Sequence, residues 1–163
     1  MSPKEFGAMS ECIFEVEARK RGFAVFKPSG DNLPQDCIVC NPKNELFKVQ
    51  IKSVRPSSPD KPIKVYLKRS PGRRSVPYTG EEVDIFAVVI PDFDAIYLIP
   101  FAEKLREFSP EPWSKKSPSS KFLDNWVVFE EEIKKPAAKK QRVSKKVTPK
   151  VLRPPVGPQP HLE

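Results

Sequence analysis

A short stretch in the first third of the chain places a carboxylate, an amide and an ammonium where they could act together. Residues 47–53 read Phe-Lys-Val-Gln-Ile-Lys-Ser, so apolar and polar side chains alternate as on a strand with one buried face. Gln50 and Lys52 share the polar face at a spacing that aims both side chains the same way. Asp36 opens the apolar run that precedes this strand. Together these groups could hold a hard cation beside a phosphate.

Each of these residues also has an ordinary explanation. An aspartate at the start of a strand is usually a turn residue, and polar side chains on one strand face are usually solvated. Glu11, in a predicted helix, would on its own be read as a surface charge. Asp31, in a Gly-Asp-Asn turn, is a second candidate for the metal ligand, although a turn explains it well. It is the combination and order of Glu11, Asp36, Gln50 and Lys52 that favour a site.

The N-terminal segment is predicted to be a helix over residues 3–21. Ser2 can cap it, Pro3 fits the first helical position, and Glu5 completes a capping box. Glu11 lies beside an apolar stripe at helical spacing. The stripe consists of Phe6, Met9, Ile13 and Val16.

The rest of the folded part is predicted to be mainly strands. They are expected at residues 23–27, 36–40, 46–53, 63–67, 85–90 and 95–99. Residues 85–90 are almost entirely apolar, which indicates a central strand buried on both faces. A second helix is expected within residues 100–108, and the aromatic residues between 113 and 129 indicate a last packed segment. The predicted fold class is α/β, a mixed sheet flanked by helices.

Several pieces of the chain, in order, resemble the PD-(D/E)xK nuclease superfamily. The pieces are Gly7 with Glu11, Arg21-Gly22-Phe23, residues 28–32 with Asp36, residues 49–52, Tyr78, residues 84–88 and residues 96–100. More narrowly, residues 4–105 resemble small endonucleases related to archaeal Holliday-junction resolvases and to one group I intron homing endonuclease. Most members have Glu or Asp where this chain has Gln50, although a Gln variant is known in the superfamily.

The resemblance implies a restriction-endonuclease-like core and an endonuclease that uses Mg²⁺ (or Mn²⁺) to cut DNA, leaving 5′-phosphate and 3′-hydroxyl ends. Asp36 would be the direct metal ligand, Gln50 would offer its amide oxygen, and the Ile51 carbonyl would also face the metal. Glu11 would replace, directly or through water, the charge that an amide lacks. Lys52 would orient or deprotonate the attacking water and stabilise the developing charge.

Residues 68–78 are predicted to be a basic loop with one aromatic residue. Its candidate DNA-binding side chains are Lys68, Arg69, Arg73, Arg74 and Tyr78. Such a loop suits contact with phosphates, which positions DNA without reading its sequence, but it is equally compatible with a solvated loop. Cys37 and Cys40 have the spacing of a metal-binding pair, but residues three apart on a strand face opposite ways, so no zinc site is predicted.

Charge divides the 163-residue chain into two parts. The net charge of +8 lies entirely in residues 134–163, which hold nine Lys and Arg, one Glu and six prolines. Residues 1–133 are predicted to form one nuclease-like domain, and residues 134–163 a disordered basic tail, because such a composition cannot bury enough apolar surface to offset its ordering entropy. The tail is expected to bind DNA non-specifically. A nuclear localisation signal is the alternative.

The same composition bears on location and partners. No apolar run is long enough for a transmembrane helix, and the N-terminus lacks an apolar signal core. Three cysteines form no disulfide framework, so an intracellular, reducing compartment is predicted: cytoplasm or nucleoid, or the nucleus of a eukaryote. DNA is the expected partner, no membrane contact is expected, and cutting two strands favours a homodimer or larger assembly.

Three functions remain open from the sequence. The first is the metal-dependent DNA endonuclease described above. The second is a DNA-binding module on the same fold that has lost catalysis, an alternative that Gln50 keeps open. The third is an α/β interaction domain with a basic tail, unrelated to nucleases.

Overall fold

A computed structural model describes residues 1–30, 33–56, 63–69 and 75–130. The predictions made for Asp31, for Arg73 and Arg74, and for the tail at 134–163 lie outside the described residues and stay predictions.

The N-terminal helix, α1, spans Pro3–Lys20. Its capping box is formed as predicted: the Ser2 hydroxyl accepts from the Glu5 backbone N–H, and the Glu5 carboxylate accepts from the Ser2 N–H. The buried face differs from the predicted stripe, since Val16 is 50% exposed. Four residues at i+4 spacing, of which only the first belongs to the predicted stripe, face the sheet: Phe6, Ser10, Phe14 and Ala18.

Nine strands lie within the described residues. They are β1 (Ala24–Phe26), β2 (Cys37–Cys40), β3 (Leu46–Ser53), β4 (Val65–Tyr66), β5 (Lys68–Arg69), β6 (Val76–Pro77), β7 (Ile85–Ile90), β8 (Ala95–Pro100) and β9 (Glu107–Phe108). Five form the main sheet in the order β1-β2-β3-β7-β8. Only the β3–β7 pair is parallel, so the sheet is mixed, as predicted.

The central strand β7 is buried along its whole length, which confirms the prediction for residues 85–90. Its side chains alternate between two apolar layers. Ile85, Ala87 and Val89 belong to the layer under α1, and Phe86 and Val88 belong to the opposite layer. The α1 layer extends across β1, β2 and β3. The opposite layer draws its strand residues from β7, β8 and β9 and from the crossover that joins β3 to β7.

Two predicted elements differ in the structure. The strand expected at 63–67 is reduced to β4, which pairs with β9 outside the main sheet. The helix expected within 100–108 does not form: a 3₁₀ turn at Phe101–Glu103 ends at Lys104 with φ 52°, and the chain then enters β9. Phe108 explains the change, because it is buried against Tyr97 and joins β4 only as a strand residue.

The predicted loop at 68–78 contains two short strands, β5 and β6, which pair with each other. The predicted α/β class, a mixed sheet flanked by helices, is confirmed, and α1 covers one face of the sheet. In the described ranges the second face is covered by the short strand pair β4–β9, residues of the crossover and a 3₁₀ turn at Pro118–Phe122.

The last described segment packs under α1, as the aromatic residues predicted. Trp126 stacks on Phe14 and Phe23, with ring centroids 5.6 and 6.2 Å apart. Phe129 packs edge-on against Phe47 of β3. The segment is tied to the β2–β3 turn because Asn41 Nδ2 donates to the Phe129 carbonyl at 2.7 Å.

Candidate active site

The β2–β3 pair brings Asp36 next to Gln50. Asp36 directly precedes β2, and its backbone N–H donates to the Val49 carbonyl of β3 at 2.9 Å. Its carboxylate oxygen Oδ2 accepts from the Ile51 N–H at 2.6 Å and from Gln50 Nε2. Asp36, Gln50 and Ile51 therefore form one hydrogen-bonded group.

The Gln50 amide fills the space between two candidate metal ligands. Its Nε2 donates both to Asp36 Oδ2 and to the Ile51 carbonyl, the latter at 3.1 Å. Gln50 is only 8% exposed, so its amide, in place of water, donates to these two oxygens. A cation shared by Asp36 and Ile51 would therefore require the amide to turn, which would offer its oxygen in place of its nitrogen.

The Asp36 carboxylate is electrostatically unfavourable when charged. Burial raises its pKa to about 6, against an ordinary value of 3.8. The Ile51 N–H opposes this shift, the nearby charge of Glu11 adds to it, and Lys52 opposes it. Because burial disfavours the charged form of this carboxylate, a cation bound against it would stabilise that form.

Lys52 lies on the same side of β3 as Gln50. Burial lowers the pKa of its ammonium, and the charge of Asp36 partly restores it. Its Nζ donates to the Tyr78 hydroxyl at 3.2 Å and lies 5.3 Å from the centre of the Tyr78 ring. The ammonium is thus hydrogen-bonded to a phenol and lies within the electrostatic influence of the Asp36 carboxylate.

Glu11 faces the same site from α1. It lines a cavity of about 490 Å³ together with Asp36, Gly7 and Lys27. Its carboxylate pairs with Lys27 at 3.5 Å, and Lys27 pairs with Glu15 at the same distance. Burial alone would lower the pKa of Lys27, but the two carboxylates raise it above its ordinary value.

Lys27 was missed by the sequence analysis. It directly follows β1, whereas Glu11 lies 16 residues earlier on α1. No local spacing rule connects two such positions, so only the packing of α1 on the sheet reveals the pair. Lys27 places a fixed positive charge on the rim of the cavity, next to the carboxylate that was expected to assist metal binding.

The donor set suits a hard cation. It comprises the carboxylates of Asp36 and Glu11, the Ile51 carbonyl and the amide oxygen of Gln50 once turned, all of which are oxygens. Within the described ranges, no group of three or more His, Cys, Asp or Glu side chains is placed to hold a metal. Mg²⁺ keeps several of its waters and needs only one or two carboxylates, so this set fits it.

The predicted DNA-binding residues are placed differently from one another. Lys68 is exposed, with its ammonium 4.7 Å from the centre of the Tyr66 ring. Arg69 pairs with Glu82 at 2.8 Å, which partly neutralises it. Tyr78 is only 8% exposed, and its ring packs edge-on against Phe86, so it is too buried to stack on a base.

The two strand cysteines do not converge. Cys37 is buried under α1 and Cys40 lies on the other face of β2, as their spacing predicted. Burial raises the pKa of the Cys37 thiol to about 12.

Comparison with known proteins gives a consistent result. A family model described as PD-(D/E)XK endonuclease matches residues 1–112. A bacterial homing endonuclease, I-Ssp6803I, has a similar structure at 25% identity, covering 80% of this chain and 95% of its own, with a TM-score of 0.66. Hjc, a Holliday junction resolvase of Archaeoglobus fulgidus, is less similar: 18% identity, coverage of 64% and 83%, and a TM-score of 0.43. No curated protein matches the chain. The residues described above at the site all fall inside the matched range.

Proposed function

This chain belongs to the PD-(D/E)XK endonuclease family, and from that premise we propose that it is a Mg²⁺-dependent endonuclease that hydrolyses DNA phosphodiester bonds to 5′-phosphate and 3′-hydroxyl ends. One observation supports the proposal most strongly. Asp36, Gln50 and Ile51 share hydrogen bonds, and Lys52 and Glu11 add a positive and a negative charge next to Asp36. DNA as the substrate is supported by the homing endonuclease with a similar structure.

Asp36, the Ile51 carbonyl and the turned Gln50 amide would hold the metal ion. When bound, Mg²⁺ (or Mn²⁺) would supply positive charge that polarises the phosphate. The charge of Glu11 reaches Asp36 across the cavity, so it can add to the negative potential that retains a cation there. An amide brings no charge of its own, and this makes the contribution of Glu11 more important than in a site with a carboxylate at position 50.

Lys52 would act on the attacking water and on the phosphate. Its lowered pKa makes it a better proton acceptor than an ordinary lysine. In its charged form it donates hydrogen bonds to the oxygens on which negative charge develops. The Tyr78 hydroxyl already holds the ammonium, and the charge of Asp36 acts on it, so the side chain is ordered before DNA binds.

The test is cleavage of supercoiled, linear and four-way-junction DNA, with and without Mg²⁺. The Lys52→Ala protein is expected to lose at least about a hundredfold in rate, the usual range for removing a general acid or base. Lys64→Ala is the matched control, because Lys64 is exposed and pairs only with Glu107 among the described ion pairs. Full activity of Lys52→Ala would remove the proposed mechanism.

A catalytically inactive DNA-binding module is the second candidate. The hydrogen bonds from Gln50 to Asp36 and to the Ile51 carbonyl favour it, because they satisfy both oxygens without a metal. Tight DNA binding by the wild type with no cutting in Mg²⁺ or Mn²⁺ would select this candidate over the first.

We also propose that two copies associate, since cutting both strands of a duplex usually takes two sites. The face of β1–β3 away from α1 carries apolar side chains, of which Phe26 is 57% exposed. Light scattering after gel filtration is expected to show a dimer for the wild type and a monomer for Phe26→Asp. Phe93→Asp, which changes an exposed aromatic between β7 and β8, should remain dimeric. A monomeric wild type would contradict this proposal.

A further inference from the structure

Tyr78 connects the crossover between β3 and β7 to Lys52. Among the described hydrogen bonds, it makes the one polar contact between the crossover and Lys52. The residue directly follows β6, and its ring lies edge-on to Phe86 with centroids 5.4 Å apart. Phe86 pairs in register with Gln50, so the ring packs on the same side of the sheet as the proposed catalytic residues. From this buried position the hydroxyl reaches Lys52 Nζ at 3.2 Å.

The Tyr78 hydroxyl is a neutral acceptor. Burial raises its pKa to about 12, so the phenol keeps its proton under ordinary assay conditions. A phenol oxygen accepts a hydrogen bond from an ammonium without forming an ion pair with it. The ring centre is also 5.3 Å from Nζ, within the range of a cation–π interaction.

Lysine needs such support more than most residues. Its four-carbon stem is flexible, and its ammonium has three rotatable donors. Strand β3 fixes only the Cα and Cβ of Lys52. A rigid ring, held by Phe86 and carrying one acceptor, can fix the far end of the side chain.

A purely structural role of the Tyr78–Lys52 contact predicts a different result. A buried tyrosine hydroxyl needs a hydrogen-bond partner, and Lys52 could serve only to satisfy it. In that case, removal of the hydroxyl would alter stability and leave the rate of the reaction unchanged.

We propose that Tyr78 is a positioning residue for Lys52: its hydroxyl and ring hold the ammonium beside Asp36, where the scissile phosphate would bind. The inference rests on the proposed function, since it assigns a role to a residue that acts through Lys52. It also reassigns Tyr78 from a DNA-contacting residue to an internal support.

The test replaces the hydroxyl and keeps the ring. Tyr78→Phe is expected to reduce the single-turnover cleavage rate by about tenfold to a hundredfold, since a misplacement of about 1 Å can cost up to about a hundredfold. Its dissociation constant for DNA and its melting temperature should stay close to those of the wild type. Tyr66→Phe is the matched control, because Tyr66 is a half-exposed tyrosine on β4, and it should change neither the rate nor the affinity.

Two further measurements separate positioning from a general effect. On a Lys52→Ala background, Tyr78→Phe should cause no further loss of rate, because residues that act through one another are not additive. In ¹H–¹⁵N spectra, the Lys52 ammonium signal should be visible in the wild type and lost by fast exchange with water in Tyr78→Phe.

A Tyr78→Phe protein that cleaves at the wild-type rate would overturn the proposal, as would a rate loss that merely follows weaker DNA binding or a lower melting temperature. If the wild type cuts no DNA, the proposed function is wrong. The spectra then still test whether the Tyr78 hydroxyl holds the Lys52 ammonium. An ammonium signal that persists in Tyr78→Phe would then overturn the inference by itself.

Discussion

The Asp36→Asn protein is expected to melt at a higher temperature than the wild type near pH 8. Its cleavage rate is expected to fall at least about a thousandfold, since a metal site is worth several kcal/mol in the transition state. The gain in stability comes from removing a charge that burial disfavours. Asparagine keeps an oxygen that can accept from the Ile51 N–H and from Gln50. A gain of about 2 kcal/mol is expected, from a shift of about two pKa units less the cost of burying a new amide.

The gain should depend on pH in a defined direction. The folded pKa of Asp36, about 6, lies above the ordinary value of 3.8, so the folded protein binds this proton more tightly than the unfolded chain. The protonated carboxyl therefore adds stability at acidic pH, and that contribution is lost as the pH rises through about 6. The two proteins should melt together near pH 4 and differ most near pH 8, measured without divalent metal.

Asp92→Asn is the control for this experiment, because Asp92 is exposed on the turn after β7. It should alter neither the melting temperature nor the cleavage rate. An Asp36→Asn protein that melts lower than the wild type near pH 8, or that still cuts DNA, would contradict the assignment of Asp36 as a buried metal ligand.

The Gln50→Glu protein is expected to become dependent on metal for its stability. The change replaces a donor to Asp36 with a second carboxylate in a nearly buried position. Two such charges repel, so the metal-free protein should lose about 3 kcal/mol near neutral pH. Mg²⁺ should restore the loss, because a ligand that binds only the folded state stabilises it in proportion to the logarithm of its concentration.

Thermal melting over a Mg²⁺ titration measures this effect on stability. The Mg²⁺ concentration that gives half-maximal cleavage should fall about tenfold, which corresponds to about 1.4 kcal/mol of tighter binding. The control is Gln35→Glu, which adds the same charge to the cavity that Asp36 and Glu11 line without removing the Gln50–Asp36 hydrogen bond. A Gln50→Glu protein as stable as the wild type without metal would show that the two side chains are not held together.

Local rules predicted the elements that carry the site. Strict alternation in β3 correctly separated Val49 and Ile51, which pack under α1, from Gln50 and Lys52 on the other face. The capping box at Ser2 and the apolar run of β7 were equally readable, because each depends on neighbours within a few residues. The placement of Asp36 next to Gln50 followed from the resemblance to known nucleases.

Nonlocal packing explains the failures. On α1, two stripes have helical spacing, and the stripe that faces the sheet is the one whose small residues Ser10 and Ala18 allow close approach. Phe108 forms a strand because β4 lies beside it, far away in sequence. The burial of Tyr78 depends on the path of the crossover, which no pattern around Tyr78 specifies.

The aromatic segment at 126–129 has a practical meaning for anyone who shortens or transplants this domain. The match to the family model ends at residue 112, yet the rings of Trp126 and Phe129 cover Phe14, Phe23 and Phe47 on the inner side of the helix and sheet. A chain that ends at residue 112 would lose Trp126 and Phe129. The rings of Phe14, Phe23 and Phe47 would then be exposed to water and promote aggregation. A transplanted domain should therefore carry the chain through residue 130, beyond the end of the family match.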